Sequence, residues 1–484
     1  MVIMILSDLF NTSFLLFLHF PYLSTFDIYN TDMSLHEDDK TMAEVDRIAV
    51  APNTPDQVPN LISLINSFGL AFTLRQSGAR LKLVDAAESL LAAVETPRET
   101  IWRYFLRSST GWAAIETGID LGIFRLLAEA GQPKSVQELV SATGADLVLI
   151  QRIMRHLGAI NVVIETKNGE YTTNGFSFTL AHTKYSDSFP AASVVSTVLP
   201  ICTVSDENNS MGSMYSPNLT IPKFLRQNNY QTPTDGRHCP LQMAFNTTDT
   251  FFEHLAHNPA LNTQFNNLMS VYHQGHASWM DPGFYPVDRL LHQFSTGNND
   301  VLLVDIGGGK GHDLNELCTK WPNLPGRLIL QDQPAVLAEA VGLHSSIECM
   351  AHDFFTEQPV KGARAYFLHS ILHDWPDEPC HRILDRLKPA MIPGISRLLI
   401  NEYVVAEQGA HWQTTSLDMT LMAAFAGMER TESQWRRLLG KAGYCILNIW
   451  TVDRWNVRQV KEGQTMVAVV EIGKEGGIPL SSIR

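Results

Sequence analysis

A chain of 484 residues has room for two or three domains, each with a sizeable core. Its composition, 45% hydrophobic and 18% charged, is that of an ordinary globular protein, and a formal net charge of -14 argues against nucleic acid or an anionic membrane, which both need a basic face. The 6 cysteines are scattered, with no CxxC pair and no cysteine–histidine cluster, so a reduced cytoplasmic protein without structural zinc or another metal site is expected.

The amino terminus is apolar, but Asp8 and Asn11 interrupt it and Lys40 is its first basic residue. A secretory signal has a basic start and an unbroken apolar stretch, and a membrane span needs about 20 apolar residues. Residues 1–60 are therefore expected to be poorly structured or mis-assigned, with initiation at Met33 or Met42 as one explanation. Residues Ser34 to Asn60, polar and carrying Pro52, Pro55 and Pro59, read as a linker.

Residues 61–190 read as a mainly helical domain. Apolar residues at helical spacing (Leu61, Leu64, Ile65, Phe68, then Leu81, Val84, Leu91) predict one or two amphipathic helices that pack on a partner. Thr96-Pro97 opens another helix, and the pattern through Trp112, Ile115, Ile119, Phe124 and Leu127 stays helical to near Gly131. Ser135 and Glu138 have capping-box spacing. A second helix over Asp146 to Leu157, a strand at Val162 to Ile164 and a turn at Lys167 to Gly169 complete a winged-helix pattern. Only Arg152 and Arg155 make its second helix basic, too few for a DNA-recognition helix.

Residues 191–285 begin with Ile201 to Ile221, rich in Ser, Asn and Gly, read as an insertion loop or a retained intron. Thr247 to Met280 predicts two helices whose Phe251, Phe252, Leu255, Phe265, Leu268, Met269, Tyr272 and Trp279 are mostly core by default.

Residues 286–484 alternate strands with helices: Val301 to Ile306, then Leu328 to Gln331, Ile347 to Met350, Ala365 to Leu368, Arg397 to Tyr403, Tyr444 to Ile449 and Met466 to Glu471, the last two expected to be antiparallel. This is the pattern of a doubly wound α/β sheet, whose ligands lie at the carboxyl ends of its strands. The first strand runs into Gly307, Gly308, Gly309 and Gly311 and then a helix. Asp305 immediately precedes the glycines, where a phosphate would be repelled and a cation accepted. Asp332 ends the next strand, where a carboxylate suits a ribose diol. Together the two acids fit S-adenosylmethionine, although either residue read alone is also a plausible helix cap.

DIGGGKG at Asp305 to Gly311, QDQP at Gln331 to Pro334, HDFF at His352 to Phe355 and YFLHSILHDWPDE at Tyr366 to Glu378 follow one another in this order. From about Trp102 to about Ile472 the chain thus resembles the plant and fungal small-molecule O-methyltransferases, of which the sterigmatocystin and caffeate types are examples. The resemblance implies a Rossmann-like, S-adenosylmethionine-binding catalytic domain and an amino-terminal winged-helix dimerisation domain, hence a homodimer. It also implies a small aromatic acceptor, with no nucleic acid and no membrane as partner.

Methyl transfer to a phenol needs placement and a base, and histidine titrates in the right range. His373, in the HDW motif, is the candidate, with a capping histidine at a helix start as the alternative. Glu402 and Glu429 match the family's two flanking glutamates, though by residue type alone either reads as a surface charge. For the cofactor the resemblance implies backbone approach at Gly307 and Gly309, ribose held by Asp332, the adenine amino group by Asp353 with Phe354 on its face, and Trp375 closing over the ring. His369 stands where the family pattern has Lys or Arg. Met269, Tyr272, His273, Trp279, Asp418 and Met419 are the implied acceptor-pocket residues. A pericyclase of the same fold and a non-catalytic winged-helix regulator are the competing readings.

Overall fold

The computed structural model describes residues 42–167, 169–189, 215–272, 278–291, 300–408, 410–453 and 466–474. The amino-terminal apolar segment and residues 201–214 of the expected insertion lie outside them.

Local capping signals delimit the first helices. Thr96 caps Pro97–Trp102, and the Ser135–Glu138 box closes on itself, with Ser135 N–H donating to Glu138 Oε2 at 2.8 Å ahead of Val136–Thr143. Asp146 accepts from the Leu149 N–H at 3.0 Å and starts Leu147–Ala159. Helices Ile123–Ala130, Val136–Thr143 and Leu147–Ala159 bury Phe124, Leu127, Leu139, Ile150, Met154 and Leu157 in one core. A small antiparallel sheet covers it, made of β1 (Lys134–Ser135), β2 (Val163–Lys167) and β3 (Glu170–Thr173) in the order β1-β3-β2.

Two expectations are corrected. The supposed linker contains the helix Met42–Ala49, and Val58–Thr73 starts two residues before the expected end of the linker. Pro59 lies in the first turn of that second helix, where a missing N–H costs nothing, so it opens the helix instead of blocking it. The end of the supposed insertion loop is also helical, as Tyr215–Gln227. Asn218 Nδ2 there donates to Thr420 Oγ1 at 3.1 Å on the distant helix Trp412–Phe425, a tertiary contact that overrides weak local propensity.

The second half of the chain forms an eight-stranded sheet. Its strands are β4 (Val301–Ile306), β5 (Arg327–Asp332), β6 (Ile347–Ala351), β7 (Ala365–His369), β8 (Arg397–Val405), β9 (Arg430–Thr431), β10 (Tyr444–Asp453) and β11 (Met466–Lys474). The order is β10-β11-β8-β7-β4-β5-β6, with β9 beside β8. Strands β4 to β9 pair in parallel, and β11 is antiparallel to both β8 and β10. Side chains alternate faces along each strand. Val304, Tyr366, Leu368 and Ile400 pack beneath helices Asp377–Leu387 and Glu432–Lys441, while Leu303, Phe367 and Leu399 pack against His312–Lys320 and the Trp279–Leu290 segment. Both faces are covered, which is why these strands read as continuous apolar runs. From β4 the chain winds outward through β5 and β6, then returns to the other side through β7 and β8, and this reversal opens the crevice for a ligand. Among the described residues no helix is long and apolar enough to cross a membrane.

Candidate active site

The turn after β4 folds over Asp305. Gly307 has φ +72°, a conformation that favours glycine, and its N–H donates to the Gln331 carbonyl at 2.8 Å. A Cβ on Gly308 would collide with the Asp305 carboxylate and lie 2.6 Å from Leu330 Cδ1. Asp305 is only 1% exposed, and neither of its carboxylate oxygens has a hydrogen-bond partner in the protein. Burial pushes its carboxyl well above the usual range; Asp313 and Asp332 add to this and His369 opposes it. A buried carboxylate without a partner fits a cationic ligand. Asp332 accepts from the Gly309 N–H at 2.8 Å and the Gln333 N–H at 2.7 Å, so the tip of β5 is tied to the glycine turn.

Asp353 caps the turn after β6, its Oδ1 accepting from the Phe355 N–H at 2.9 Å. Phe354 stands edge-on to Trp375 at 6.2 Å, and Phe252 from helix Phe251–His257 stacks on Trp375 at 6.5 Å. His369, at the end of β7, holds Asp313 Oδ2 through Nδ1 at 2.8 Å, and Asp313 Oδ1 accepts from Trp279 Nε1 at 3.0 Å. Burial works against the charged form of His369, but Asp313, Glu402 and Asp305 outweigh it and raise its pKa. A histidine with a raised pKa, paired to Asp313, therefore stands where the family pattern has Lys or Arg.

The carboxylate pair and the imidazole meet at the end of β7 and β8. His373 lies in the single turn Leu372–Asp374 and is 6% exposed. Its Nδ1 is 2.9 Å from Glu429 Oε1 and 3.5 Å from Glu402 Oε2, and its Nε2 is 3.6 Å from Asp374 Oδ1. Glu402 Oε1 accepts the N–H groups of both Ile371 and Leu372 at 2.9 Å. Burial alone would lower the imidazole pKa, but Glu402, Glu429 and Asp374 raise it to about 10. Burial likewise raises Glu429 and lifts Asp374 to about 7, with His373 opposing both shifts. The ligand atoms of His373, Glu402 and Glu429 lie within 4.8 Å of one another, close enough to chelate an ion, but the 2.9 Å contact is already that of a hydrogen bond.

The expected acceptor residues are placed unevenly. Met269 and Met419 are partly exposed apolar side chains on helices Pro259–Tyr272 and Trp412–Phe425. Asp418 Oδ1 accepts from the Glu429 N–H at 2.8 Å, so it holds the backbone of the catalytic candidate. Trp279 is 1% exposed, sealed in the core behind Asp313. The Tyr272 side chain and His273 lie outside the described residues. The sequence reading took Phe252 as core and did not pick out Asp313, Gly427 or Arg430. Of these, Asp313 carries the clearest local signal, an acid in the first turn of the helix after the glycines.

Residues 231–445 match the O-methyltransferase domain, and residues 105–183 match the O-methyltransferase dimerisation domain. The chain is 37% identical over 399 residues to O-methyltransferase mpaG of Penicillium brevicompactum, covering 81% of this chain and 95% of that one. It is 36% identical over 371 residues to demethylsterigmatocystin 6-O-methyltransferase of Aspergillus parasiticus, covering 76% and 88% respectively. Among solved structures it is similar to LepI in complex with SAM, with 31% identity, TM-score 0.72, and coverage of 87% and 99%. It is also similar to a structure titled a pericyclic reaction enzyme, with 30% identity, TM-score 0.73, and coverage of 87% and 100%.

Proposed function

Since the chain belongs to the O-methyltransferase family and is an S-adenosylmethionine-dependent O-methyltransferase, we propose that its acceptor is a phenolic or polyketide-like small molecule and that His373 is its general base. The observation that carries this reading is the buried His373–Glu429 pair at 2.9 Å, set at the strand ends beside the glycine turn.

Glu429 Oε1 accepts a hydrogen bond from Nδ1–H, which leaves Nε2 to take the proton of the acceptor hydroxyl. The tautomer follows from the hydrogen bond. Three carboxylates raise the imidazole to about 10, near the ~10 of an ordinary phenol, so proton transfer between the two is nearly balanced. Glu402 fixes the turn that carries the base by taking its two N–H groups. S-adenosylmethionine, when bound, would supply a sulfonium methyl: the acceptor oxygen bonds to the methyl carbon in line as the C–S bond breaks, and the thioether leaves. Gly307 and Gly309 would let that group approach the backbone, Asp305 would balance its positive charge and Asp332 would hold its ribose. Asp353, Phe354 and Trp375 would surround the adenine end, and His369, held on Asp313, would bond the cofactor nearer Asp305. Met269, Met419 and Asp418 would border the acceptor.

The dimerisation module supports a homodimer, and free cysteines among the described residues suit a reducing cytoplasm. A pericyclic reaction needs no proton acceptor, so the glutamate-flanked imidazole favours methyl transfer over that alternative. The test is incubation with methyl-labelled cofactor and a panel of phenols. Label in an ether product supports the proposal; product formed without label overturns it in favour of the pericyclic reading.

A further inference from the structure

Arg430 has no part in the reading above, and it is fully buried. A buried guanidinium is costly unless each of its donors is used, and an apolar side chain would fill the same space at less cost. Its donors are spent on the backbone around the base. Nη1 donates to the Leu372 carbonyl and Nη2 to the Trp375 carbonyl, both at 2.9 Å, and these two carbonyls bracket His373. Nη2 also meets Asp377 Oδ1 at 2.9 Å, which supplies the counter-charge from the start of helix Asp377–Leu387. The Cys380 Sγ lies 3.2 and 3.3 Å from the same two carbonyls.

The neighbours of Arg430 in sequence complete the grip. The Met428 N–H donates to the His373 carbonyl at 2.9 Å, and Glu429 holds the imidazole itself. The three residues Met428 to Arg430 thus bind the ring of His373, its carbonyl and the carbonyls of Leu372 and Trp375. We propose that Arg430 is a positioning residue for methyl transfer: its planar fork spans the Leu372 and Trp375 carbonyls and sets where the His373 imidazole stands relative to the acceptor oxygen. Only a rigid two-pronged donor reaches both carbonyls from one point, which a lysine ammonium does not.

This inference rests on His373 being the base, and the test separates the two. The variants are Arg430→Lys, which keeps the charge beside Asp377, and Arg430→Gln, which loses it. Each is assayed for kcat, acceptor KM, cofactor Kd, thermal midpoint and pH–rate profile, beside wild type and His373→Ala. A misplacement of about 1 Å costs roughly 10²-fold in rate. We expect kcat to fall about tenfold in Arg430→Lys and about a hundredfold in Arg430→Gln, with cofactor Kd within about threefold of wild type. In Arg430→Lys, which keeps the charge, the pH at which the rate rises should fall, because Arg430 holds the imidazole against Glu402, Glu429 and Asp374, the groups that raise its pKa. If Arg430→Gln does not fold, Arg430→Lys carries the test alone. A wild-type kcat in Arg430→Lys, or a loss in either variant that follows the folded fraction and cofactor affinity, overturns the inference. Loss of transfer in His373→Ala alongside an unimpaired Arg430→Lys would leave the base assignment intact and remove only this one.

Discussion

Gly427→Ala isolates the contact on which the placement of the base depends. Gly427 does not have positive φ, so the substitution brings no left-handed strain. It brings a steric collision: the new Cβ would overlap the His373 carbonyl oxygen and lie 3.0 Å from Asp374 C and 3.2 Å from Asp374 Cα. Those are backbone atoms, which cannot rotate away as a side chain would. Restoring ordinary contact requires the two segments to part by about 1 Å. That separation strains or breaks the 2.9 Å bond from Met428 N–H to the His373 carbonyl, and it carries Glu429 away from the imidazole. Overpacking of this kind costs about 1–3 kcal/mol of stability, and a 1 Å displacement of a catalytic group costs roughly 10²-fold in rate. The assay is kcat for label transfer at saturating cofactor, with cofactor Kd from calorimetry. A fall of about a hundredfold at near-wild-type Kd is expected. A folded Gly427→Ala protein with wild-type kcat would refute the claim that this approach positions the base.

Two more predictions concern the charges and the glycine turn. Gly308→Ala pushes a methyl group into Asp305 and to 2.6 Å from Leu330 Cδ1, so about 1–3 kcal/mol of strain should weaken cofactor binding about 10- to 100-fold by calorimetry, with wild-type Kd as the contrary result. His373 is raised to about 10 and serves as a base only when neutral, so kcat/KM should climb as pH rises from 7 towards 10. Asp374→Asn removes one of the charges that raise it, which should move that climb to lower pH; a climb at unchanged pH would count against the electrostatic account. The same raised pKa makes the charged pair stabilising in full below the unfolded value of ~6.5, with that contribution lost as pH rises through about 10.

The parts of the fold legible in the sequence were those encoded locally. The Ser135–Glu138 box, the strand before Gly307 and the acids at Asp305 and Asp332 announce themselves within a few residues, and the structure sets them where that spacing implies. Pro59 and residues 215–221 misled for different reasons: a proline opens helices as well as ends them, and Asn218 is held from position 420. Arg430 and Gly427 act on carbonyls more than fifty positions away, and nothing near them in the chain signals it. In sequence, Arg430 is one more charge beside a short strand. The role of Trp279 was hidden likewise, because an aromatic residue near the pocket reads the same whether it faces the acceptor or, as here, holds Asp313 from the core side.

Replacing the imidazole tests the account most directly: the rate at which His373→Ala moves label from saturating cofactor to a phenolic acceptor, measured beside wild type. A general base contributes about 10²- to 10⁴-fold, so a loss of that size with cofactor Kd unchanged is the expected result. Turnover at the wild-type rate without the imidazole would contradict it.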